Sequence, residues 1–270
     1  MGEPQLVIFT DLDGTLLDLK TYSYLPAIEA LGRIIRRGVP LVFCSSKTRV
    51  EQQYYQERIG IREPMIVENG SAIVIPENYF AHPYAPRQTA DGHDVIELGE
   101  SAERIKGALD AVRRETRARF KALGEIPLEE LCRLADLDPP AAHRAQSREY
   151  SETIVCEMSA EEIGSFLEAL QARGLSCIGG SRFHTVVSSN VDKGRAVKLV
   201  TSLFRTEFGD VLTAGIGDSA NDEPMLATVD LPYLLQSPDG HWKDISLVDV
   251  ARVEGDGPAA WNGVVCRLLE

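Results

Sequence analysis

The sequence predicts an α/β protein: a doubly wound, mostly parallel, Rossmann-like core with an inserted α+β cap domain. Short apolar runs alternate with amphipathic helical stretches from residue 6 onward, which is the pattern of a parallel sheet covered by helices. The pattern stops after residue 83 and resumes at about residue 188. With 270 residues, 44% of them hydrophobic, the chain can build one large domain or two modest ones. We therefore assign residues 1–83 and 188–270 to the core and residues 84–187 to the cap.

The core strands are expected where β-forming residues run continuously, because such runs indicate a strand buried on both faces. The core helices are expected where apolar residues recur at helical spacing, as Ile28, Leu31 and Ile34 do. Asn69-Gly70 predicts a hairpin turn, since both residues tolerate positive φ angles. The expected core elements are, in chain order, a strand over 6–10, a helix over 24–37, a strand over 39–44, a helix after Thr48, a strand over 65–67, a helix over 193–204 and a strand over 211–216.

The cap is expected to be a small α+β layer of strands and helices. A stretch with Pro, Gly and polar residues links it to the core over 84–92. The expected cap elements are a strand over 94–98, helices over 102–120 and 128–134, a strand over 152–157, a helix over 160–173 and strands over 175–178 and 183–187. Asp138-Pro139-Pro140 is expected to break the pattern, because proline interrupts regular structure.

The chain is acidic: 41 Asp and Glu against 28 Lys and Arg give a net charge of −13. A surface of this sign repels phosphate backbones and anionic lipids, so no nucleic-acid or membrane partner is expected. No apolar run reaches the roughly 18 residues of a membrane-spanning helix. The five cysteines are odd in number and show no CxxC spacing, which favours a reducing cytoplasm over a disulfide framework. The oligomeric state is left open.

Two carboxylates, Asp11 and Asp13, directly follow the first predicted strand. Residues two apart at a strand end point the same way, so both carboxylates can converge on one place. Two like charges there need a neutralising partner, and carboxylate and carbonyl oxygens suit Mg²⁺. The alternative is a solvated Asp-Leu-Asp-Gly turn, since Asp and Gly are common turn residues.

A second acidic group, Gly217-Asp218-Ser219-Ala220-Asn221-Asp222, follows another buried strand. In open α/β sheets ligands bind beyond the carboxyl ends of the strands, so both acidic groups can face one crevice. A helix N-cap at Asp218 or Ser219 is the alternative, although capping explains one acid and leaves the other unexplained. Ser45, after the second strand, and Lys193, which opens a helix, can add donors for a phosphoryl group.

This set of residues, in this order, resembles the four motifs of the haloacid dehalogenase superfamily of phosphatases. The resemblance implies that Asp11 is the nucleophile that forms an aspartyl-phosphate and that Asp13 is the general acid and base. It implies that Thr15 orients Asp13, and that Ser45 and Lys193 hold the transferring oxygens. The implied cofactor is Mg²⁺, and its implied ligands are Asp11, Asp13 through its main-chain carbonyl, Asp218 and, as support or an occasional ligand, Asp222.

A narrower resemblance is to the mannosyl-3-phosphoglycerate phosphatase family. It is carried by Phe43-Cys44-Ser45-Ser46-Lys47-Thr48, Ile66-Val67-Glu68-Asn69-Gly70, Arg148-Glu149-Tyr150 and Gly179-Gly180 with Arg182-Phe183. The implied substrate is a small phosphorylated sugar-glycerate, whose carboxylate needs cationic or donor groups such as Arg. The residues implied to bind it are Lys47, Glu68, Asn69, Arg148, Gly180, Ser181 and Arg182.

Three alternatives to the mannosyl substrate stay open. The first is a glucosyl substrate. It stays open because the chain reads Arg182-Phe183-His184-Thr185, where family members commonly have an aromatic residue and then His after Arg-Phe. A broader sugar-phosphate phosphatase of the superfamily is the second, and a non-catalytic sugar-phosphate-binding protein on the same fold is the third. For Arg148 a surface ion pair is the alternative to substrate binding.

Overall fold

The computed structural model describes residues 4–85, 88–156, 158–179 and 183–270. Within these ranges the chain forms one nine-stranded and one four-stranded sheet. The strands are β1 (Gln5–Thr10), β2 (Leu41–Cys44), β3 (Met65–Val67), β4 (Ala72–Pro76), β5 (Gln88–Ala90), β6 (His93–Glu97), β7 (Phe120–Ala122), β8 (Glu152–Cys156), β9 (Leu175–Gly179), β10 (Phe183–Ser188), β11 (Val211–Gly217), β12 (Leu231–Gln236) and β13 (Ala251–Asp256). The helices are α1 (Ile28–Arg37), α2 (Arg49–Ile59), α3 (Ala102–Thr116), α4 (Leu128–Ala135), α5 (Pro139–Gln146), α6 (Ala160–Gln171), α7 (Lys193–Phe208), α8 (Glu223–Leu226) and α9 (Gly257–Leu268).

The large sheet has the order β13-β12-β11-β1-β2-β3-β4-β6-β5, and the strands from β13 to β3 are parallel. The continuous apolar runs of β1 and β2 are buried, as expected for strands covered on both faces. One hydrophobic cluster packs α7 on one face of the sheet, and a second packs α1 and α9 on the other. The doubly wound α/β class is therefore confirmed, with β1 between β11 and β2 in the interior of the sheet.

The far end of the large sheet is antiparallel: β4 pairs with β3 and β6, and β5 pairs with β6. The sequence boundary at residue 84 assigned β5 and β6 to the cap, whereas their hydrogen bonds join them to the core sheet. The reason is the hairpin at Glu68–Gly70, which reverses the chain and leaves β4 with an open edge that β6 then covers. We propose that the cap begins after β6, at about residue 99.

The four-stranded sheet, in the order β7-β8-β10-β9, is antiparallel throughout. Helices α3 and α6 pack on one face of it around Ile154, while α4 and α5 pack against Val155 and Phe183. Neighbouring residues of a strand point to opposite faces, so Ile154 and Val155 place helices on both sides. The smaller sheet and its helices are the predicted α+β cap.

Helix α5 begins where the sequence was expected to break the pattern. Pro139 and Pro140 lie in its first turn, where a backbone N–H has no helical partner and proline costs nothing. Asp138 caps the helix by accepting a hydrogen bond from the Ala141 amide at 2.7 Å. The expected break does separate α4, which ends at Ala135, from α5. The expectation overlooked the helix that follows the break, which carries Arg144 to the interface with the core.

Among the residues described, no helix combines the length and apolarity needed to cross a membrane.

Candidate active site

The predicted site residues lie at the carboxyl edge of the parallel strands. Thr10 is in register with Phe43 on β2 and with Ile216 on β11. Asp11, Ser45 and Asp218 follow these positions by one or two residues, so the sheet brings them to the same edge. Ser45 is buried there, and its hydroxyl accepts a hydrogen bond from the Lys47 amide at 3.4 Å.

Lys193, the first residue of α7, is buried and lies between two carboxylates. Its Nζ is 2.6 Å from Asp11 Oδ1 and 2.6 Å from Asp222 Oδ1. Burial alone would lower the pKa of Lys193, but the charges of Asp11 and Asp222 outweigh it and raise that pKa above its usual value. Lys193 therefore stays protonated and neutralises part of the acidic cluster. Because it binds Oδ1, the other oxygen of Asp11 remains for chemistry.

Asp222 also organises the loop that follows β11. Its Oδ2 accepts hydrogen bonds from the amides of Asp218 and Ser219 at 3.1 and 3.0 Å. Ser219 and Asp222 form a capping box around the 3-10 turn Ala220–Asp222. Asp222 therefore has two structural roles: its Oδ2 caps the turn, and its Oδ1 binds Lys193. The capping alternative, which named Asp218 or Ser219, thus applies to Ser219 as a partner in the capping box.

Two glycines make room for acidic side chains, Gly14 for one in the other acidic loop and Gly217 for one in its own loop. A Cβ on Gly14 would lie 2.6 Å from Asp218 Oδ2, and one on Gly217 would lie 2.5 Å from Asp222 Cγ. Gly14 also has a φ of +81°, which favours glycine. Thr15 donates a hydrogen bond from Oγ1 to Asp218 Oδ1 at 3.0 Å, rather than contacting Asp13 as the family resemblance implied.

A divalent cation fits this cluster. One oxygen from each of Asp11, Asp218 and Asp222 lies within 4.8 Å of the others, and all three residues are buried. Carboxylate oxygens are ligands for hard divalent cations. Burial raises the pKa of Asp218 to about 8, and the neighbouring acids add to this. Burial also raises the pKa of Asp11 to about 7, against the opposing charge of Lys193. A bound cation would favour the ionised form of these acids and so oppose the effect of burial and of their mutual repulsion.

Added Mg²⁺ is expected to stabilise EDTA-treated protein, and by more at pH 8.5 than at pH 6. In the unfolded chain both acids titrate near pH 4. In the fold, burial raises the pKa of Asp11 to about 7 and that of Asp218 to about 8, so without a cation these acids lower stability progressively as pH rises from 4 to 8. A cation binds the ionised form, and at a hundredfold excess over its Kd it adds about 2.7 kcal/mol. Thermal unfolding should show a rise of roughly 5 °C at pH 8.5; a rise that is larger at pH 6 would contradict the assignment.

Asp13 does not share the partners of Asp11. Its Oδ2 is 2.9 Å from Lys47 Nζ, and Lys47 is in turn 3.4 Å from Glu51. In the described part of the chain Asp13 Oδ1 is buried without a hydrogen-bond partner. The side chain of Asp13 lies outside the three-carboxylate cluster, so its predicted contact with the metal through the main-chain carbonyl stays a prediction. The ion pair with Lys47 fixes the position of Oδ2.

Glu68 and Arg148 join the cap to the core, and their predicted role in substrate binding stays a prediction. The fully buried Glu68 carboxylate accepts hydrogen bonds from the amides of Glu149 and Tyr150 at 2.9 and 3.2 Å and from the Ser151 hydroxyl. Arg148 Nη1 is 3.7 Å from Glu68 Oε2. Both of its terminal nitrogens donate to the Ser46 carbonyl at 3.3 Å. The structure therefore uses these charges to hold residues 148–151 against the loop after β2.

Glu68→Ala is expected to lower the free energy of unfolding by roughly 3 kcal/mol. The change leaves two amides, a hydroxyl and a guanidinium without their acceptor in the interior, and unpaired buried polar groups are costly. Urea denaturation of the variant measures the loss. Glu57→Ala, at an exposed position of α2, is the control and should change stability by less than about 0.5 kcal/mol. If Glu68→Ala lowers the free energy of unfolding by no more than the control does, the contacts of Glu68 with the cap do not stabilise the protein.

Asn69 lies at the junction of three loops of the site. Its amide donates to the Ser45 carbonyl at 3.0 Å, and its side-chain oxygen accepts from Asn221 Nδ2 at 3.1 Å. Sequence reasoning assigned Asn69 to the site but gave Asn221 no role, although Asn221 lies inside a motif. Gly180, Ser181 and Arg182 lie outside the described residues, so their predicted role in substrate binding stays a prediction.

Sequence reasoning also missed a chain of hydrogen bonds that supports the backbone at Asp11. Trp261 of α9 donates from Nε1 to Thr10 Oγ1 at 2.9 Å, and Thr10 Oγ1 donates to the Asp11 carbonyl at 2.7 Å. This chain of bonds fixes the backbone at the end of β1. Trp261 is fully buried and lies 251 residues after Thr10. The sequence near Asp11 therefore gives no sign of this contact.

The fold and the acidic site define a class of enzyme. A model of haloacid dehalogenase-like hydrolases matches residues 8–246, and the chain belongs to that family. It is a phosphatase, that is, a phosphoric monoester hydrolase.

Curated relatives match over nearly the whole chain. A glucosyl-3-phosphoglycerate/mannosyl-3-phosphoglycerate phosphatase of Methanococcoides burtonii is 38% identical over 97% of this chain and 97% of its own. A protein of the same name from Persephonella marina is 36% identical over 98% and 97%. A mannosyl-3-phosphoglycerate phosphatase of Pyrococcus furiosus is 38% identical over 85% and 90%.

Solved structures agree with the fold. A crystal structure of a Thermoplasma acidophilum protein has a TM-score of 0.70 at 17% identity and covers 99% of this chain and 100% of its own. A haloacid dehalogenase-like hydrolase from B. subtilis has a TM-score of 0.65 at 18% identity, over 97% and 99%. At such identities the likeness concerns the fold alone.

Proposed function

We propose that the chain is a Mg²⁺-dependent phosphatase that hydrolyses mannosyl-3-phosphoglycerate, and also its glucosyl epimer, to the glycosylglycerate and phosphate. The observation that carries the chemistry is the cluster of Lys193 with Asp11, Asp218 and Asp222 at the edge of the parallel sheet. The substrate is supported by the names of the relatives that match along almost the whole chain, two of which carry both sugars.

In the first half-reaction Asp11 Oδ2 attacks phosphorus, and the bond from phosphorus to the alcohol oxygen breaks. Asp13 gives its proton to the departing alkoxide, which would otherwise be a poor leaving group. Lys193 balances the negative charge around Asp11, to which it is bound at 2.6 Å. A cation held by Asp11, Asp218 and the Asp13 carbonyl would supply further neutralisation of the phosphoryl oxygens.

In the second half-reaction the aspartyl-phosphate on Asp11 is hydrolysed. Asp13, now ionised, takes a proton from a water molecule as that water attacks phosphorus. The bond between phosphorus and Asp11 Oδ2 breaks, which restores the carboxylate and releases inorganic phosphate. Ser45, buried at the end of β2, is proposed to donate a hydrogen bond to a transferring oxygen.

Phosphate release with added Mg²⁺ tests this function directly. Mannosyl- and glucosyl-3-phosphoglycerate should be hydrolysed far faster than simple sugar phosphates, and EDTA should abolish the reaction. Similar slow hydrolysis of every substrate would leave a broader sugar-phosphate phosphatase as the function. No release at all from folded protein would indicate the non-catalytic binding protein instead.

A further inference from the structure

A cavity of 440 Å³ lies between the core and the cap. Its core wall is formed by residues 20–25 and by α2, and its cap wall by residues 136–144. Lys47 contributes to the core wall, and its Nζ is 2.9 Å from Asp13 Oδ2. The cavity therefore adjoins the group that would protonate the leaving alcohol, on the side where the rest of the substrate must be placed.

The side chains that line this cavity include more cations than acids, whereas the chain as a whole is acidic. The lining contains four cations and three acids, on a protein with a net charge of −13. Lys47 is already paired with Asp13 and Glu51. The remaining cations are Lys20, Arg58 and Arg144, and the remaining acids are Asp136 and Asp138, of which Asp138 caps α5. The lining thus has a surplus of positive charge, which favours an anionic ligand.

Arg144 of α5 is the cation best prepared to receive that ligand. Its guanidinium lies over the ring of Tyr54, 3.9 Å from the centroid, and Arg58 lies 5.2 Å from the same centroid. In the ranges described, neither arginine has a carboxylate within salt-bridge distance. Stacking on the ring fixes the plane of the Arg144 guanidinium and leaves its N–H edge available. Its carbonyl is held by Thr48 Oγ1 at 2.9 Å, which fixes the backbone as well.

Arg148, the arginine that the sequence suggested for this role, is not available in the same way. Its terminal nitrogens donate to the Ser46 carbonyl and the Ser151 hydroxyl, and Glu68 lies beside it. These contacts occupy both of its terminal nitrogens, although its Nε has no hydrogen-bond partner among the described residues. Arg144, four residues earlier, lines the cavity.

We propose that Arg144, with Arg58 beside it, binds the carboxylate of the alcohol part of the substrate and so selects phosphate esters of carboxylate-bearing alcohols. This inference rests on the proposed function and deepens it. A planar guanidinium suits a carboxylate because its two parallel N–H groups match the two oxygens. The phosphate is then held by the sheet edge and the carboxylate by the cap, so that a substrate with both groups also holds the two domains together.

The test compares 3-phosphoglycerate with glycerol 3-phosphate, which has a hydroxymethyl group in place of the carboxylate. We measure kcat/KM for phosphate release from both and take their ratio. The wild-type ratio should exceed roughly ten, and Arg144→Ala should bring it close to one, because a charge-assisted bond gives about ten- to hundredfold discrimination. Arg144→Lys, which keeps the charge but loses the planar fork, should fall between. Arg133→Ala, on the neighbouring helix α4 and outside the cavity lining, should keep the wild-type ratio.

Binding gives the same comparison without turnover. Calorimetry with Asp11→Asn should show tighter binding of 3-phosphoglycerate than of glycerol 3-phosphate, and Arg144→Ala in that background should remove the difference. The proposal is overturned if Arg144→Ala keeps the wild-type ratio, or if it weakens both phosphates equally.

The glycosyl-3-phosphoglycerates, measured in parallel, separate this inference from the proposed function. Suppose that the wild type does not hydrolyse the glycosyl-3-phosphoglycerates, and that its preference for 3-phosphoglycerate over glycerol 3-phosphate is absent from Arg144→Ala. The proposed function then fails, and the carboxylate site stands. If the wild type hydrolyses them and Arg144→Ala does so equally well, the function stands and the carboxylate site is refuted.

Discussion

Asp11→Asn is expected to reduce the turnover number for phosphate release by at least about 10⁴-fold while the protein stays folded. The amide is almost isosteric with the carboxylate but cannot attack phosphorus. Lys193 keeps its second partner, Asp222, at 2.6 Å, so the variant retains a neutralised interior. Burial disfavours the ionised form of Asp11, and removing that charge should leave the free energy of unfolding unchanged or slightly higher.

The measurement is phosphate release under saturating substrate, with thermal unfolding as a check on folding. Asp244→Asn, at an exposed position, makes the same chemical change away from the site and should retain full activity. A turnover number for Asp11→Asn within tenfold of the wild type would show that another group accepts the phosphoryl. If both the wild type and Asp11→Asn bind the substrate but neither releases phosphate, the protein is a binding module rather than an enzyme.

Asp13→Asn removes the proposed general acid and base but keeps the proposed nucleophile, Asp11. Loss of general acid and base catalysis should slow both steps by roughly 10²- to 10⁴-fold. Asp11 remains able to accept the phosphoryl group, so acid-quenched protein should contain a peptide with Asp11 and the added mass of one phosphoryl group. Asp11→Asn under the same conditions should show no such peptide.

The core and its motifs could be predicted because both depend on local sequence. A continuous apolar run indicates a buried strand, and the residue after it lies at the sheet edge whatever the rest of the chain does. That is why Asp11, Ser45 and Asp218 were found. Helix α5 was missed for a local reason as well: Pro139-Pro140 was taken as a break, although proline is also favourable in a first helical turn.

The roles of the charged residues at the interface between cap and core could not be predicted in the same way. Arg148 and Arg144 are only four residues apart. Arg148 contacts Glu68 and Ser46, whereas Arg144 lies over the ring of Tyr54. Nothing in the sequence distinguishes the two arginines in this way. Glu68 contacts residues 149–151, about eighty positions later. Such pairings depend on how two domains pack, and side-chain type alone does not encode them.

The contacts of Lys193 make it the residue whose loss should cost most in stability. Lys193→Met removes the cation from between Asp11 and Asp222 and leaves both carboxylates buried without it. Removing one side of a buried ion pair costs about 3–5 kcal/mol, which corresponds to a fall in Tm of roughly 10 °C. Lys198→Met, at an exposed position of the same helix, is the matched control and should change Tm by little.

Two conditions should reduce the deficit of Lys193→Met, and both follow from charge. At pH 5 Asp11, whose pKa burial raises to about 7, is already protonated and has less need of a cation, so the difference in Tm from the wild type should shrink. Added Mg²⁺ at pH 8 should also shrink it, because a divalent cation can neutralise the same carboxylates. A deficit independent of both pH and Mg²⁺ would mean that Lys193 stabilises the fold by packing rather than by charge. That outcome would also remove the electrostatic reason for placing the reaction at this end of the sheet.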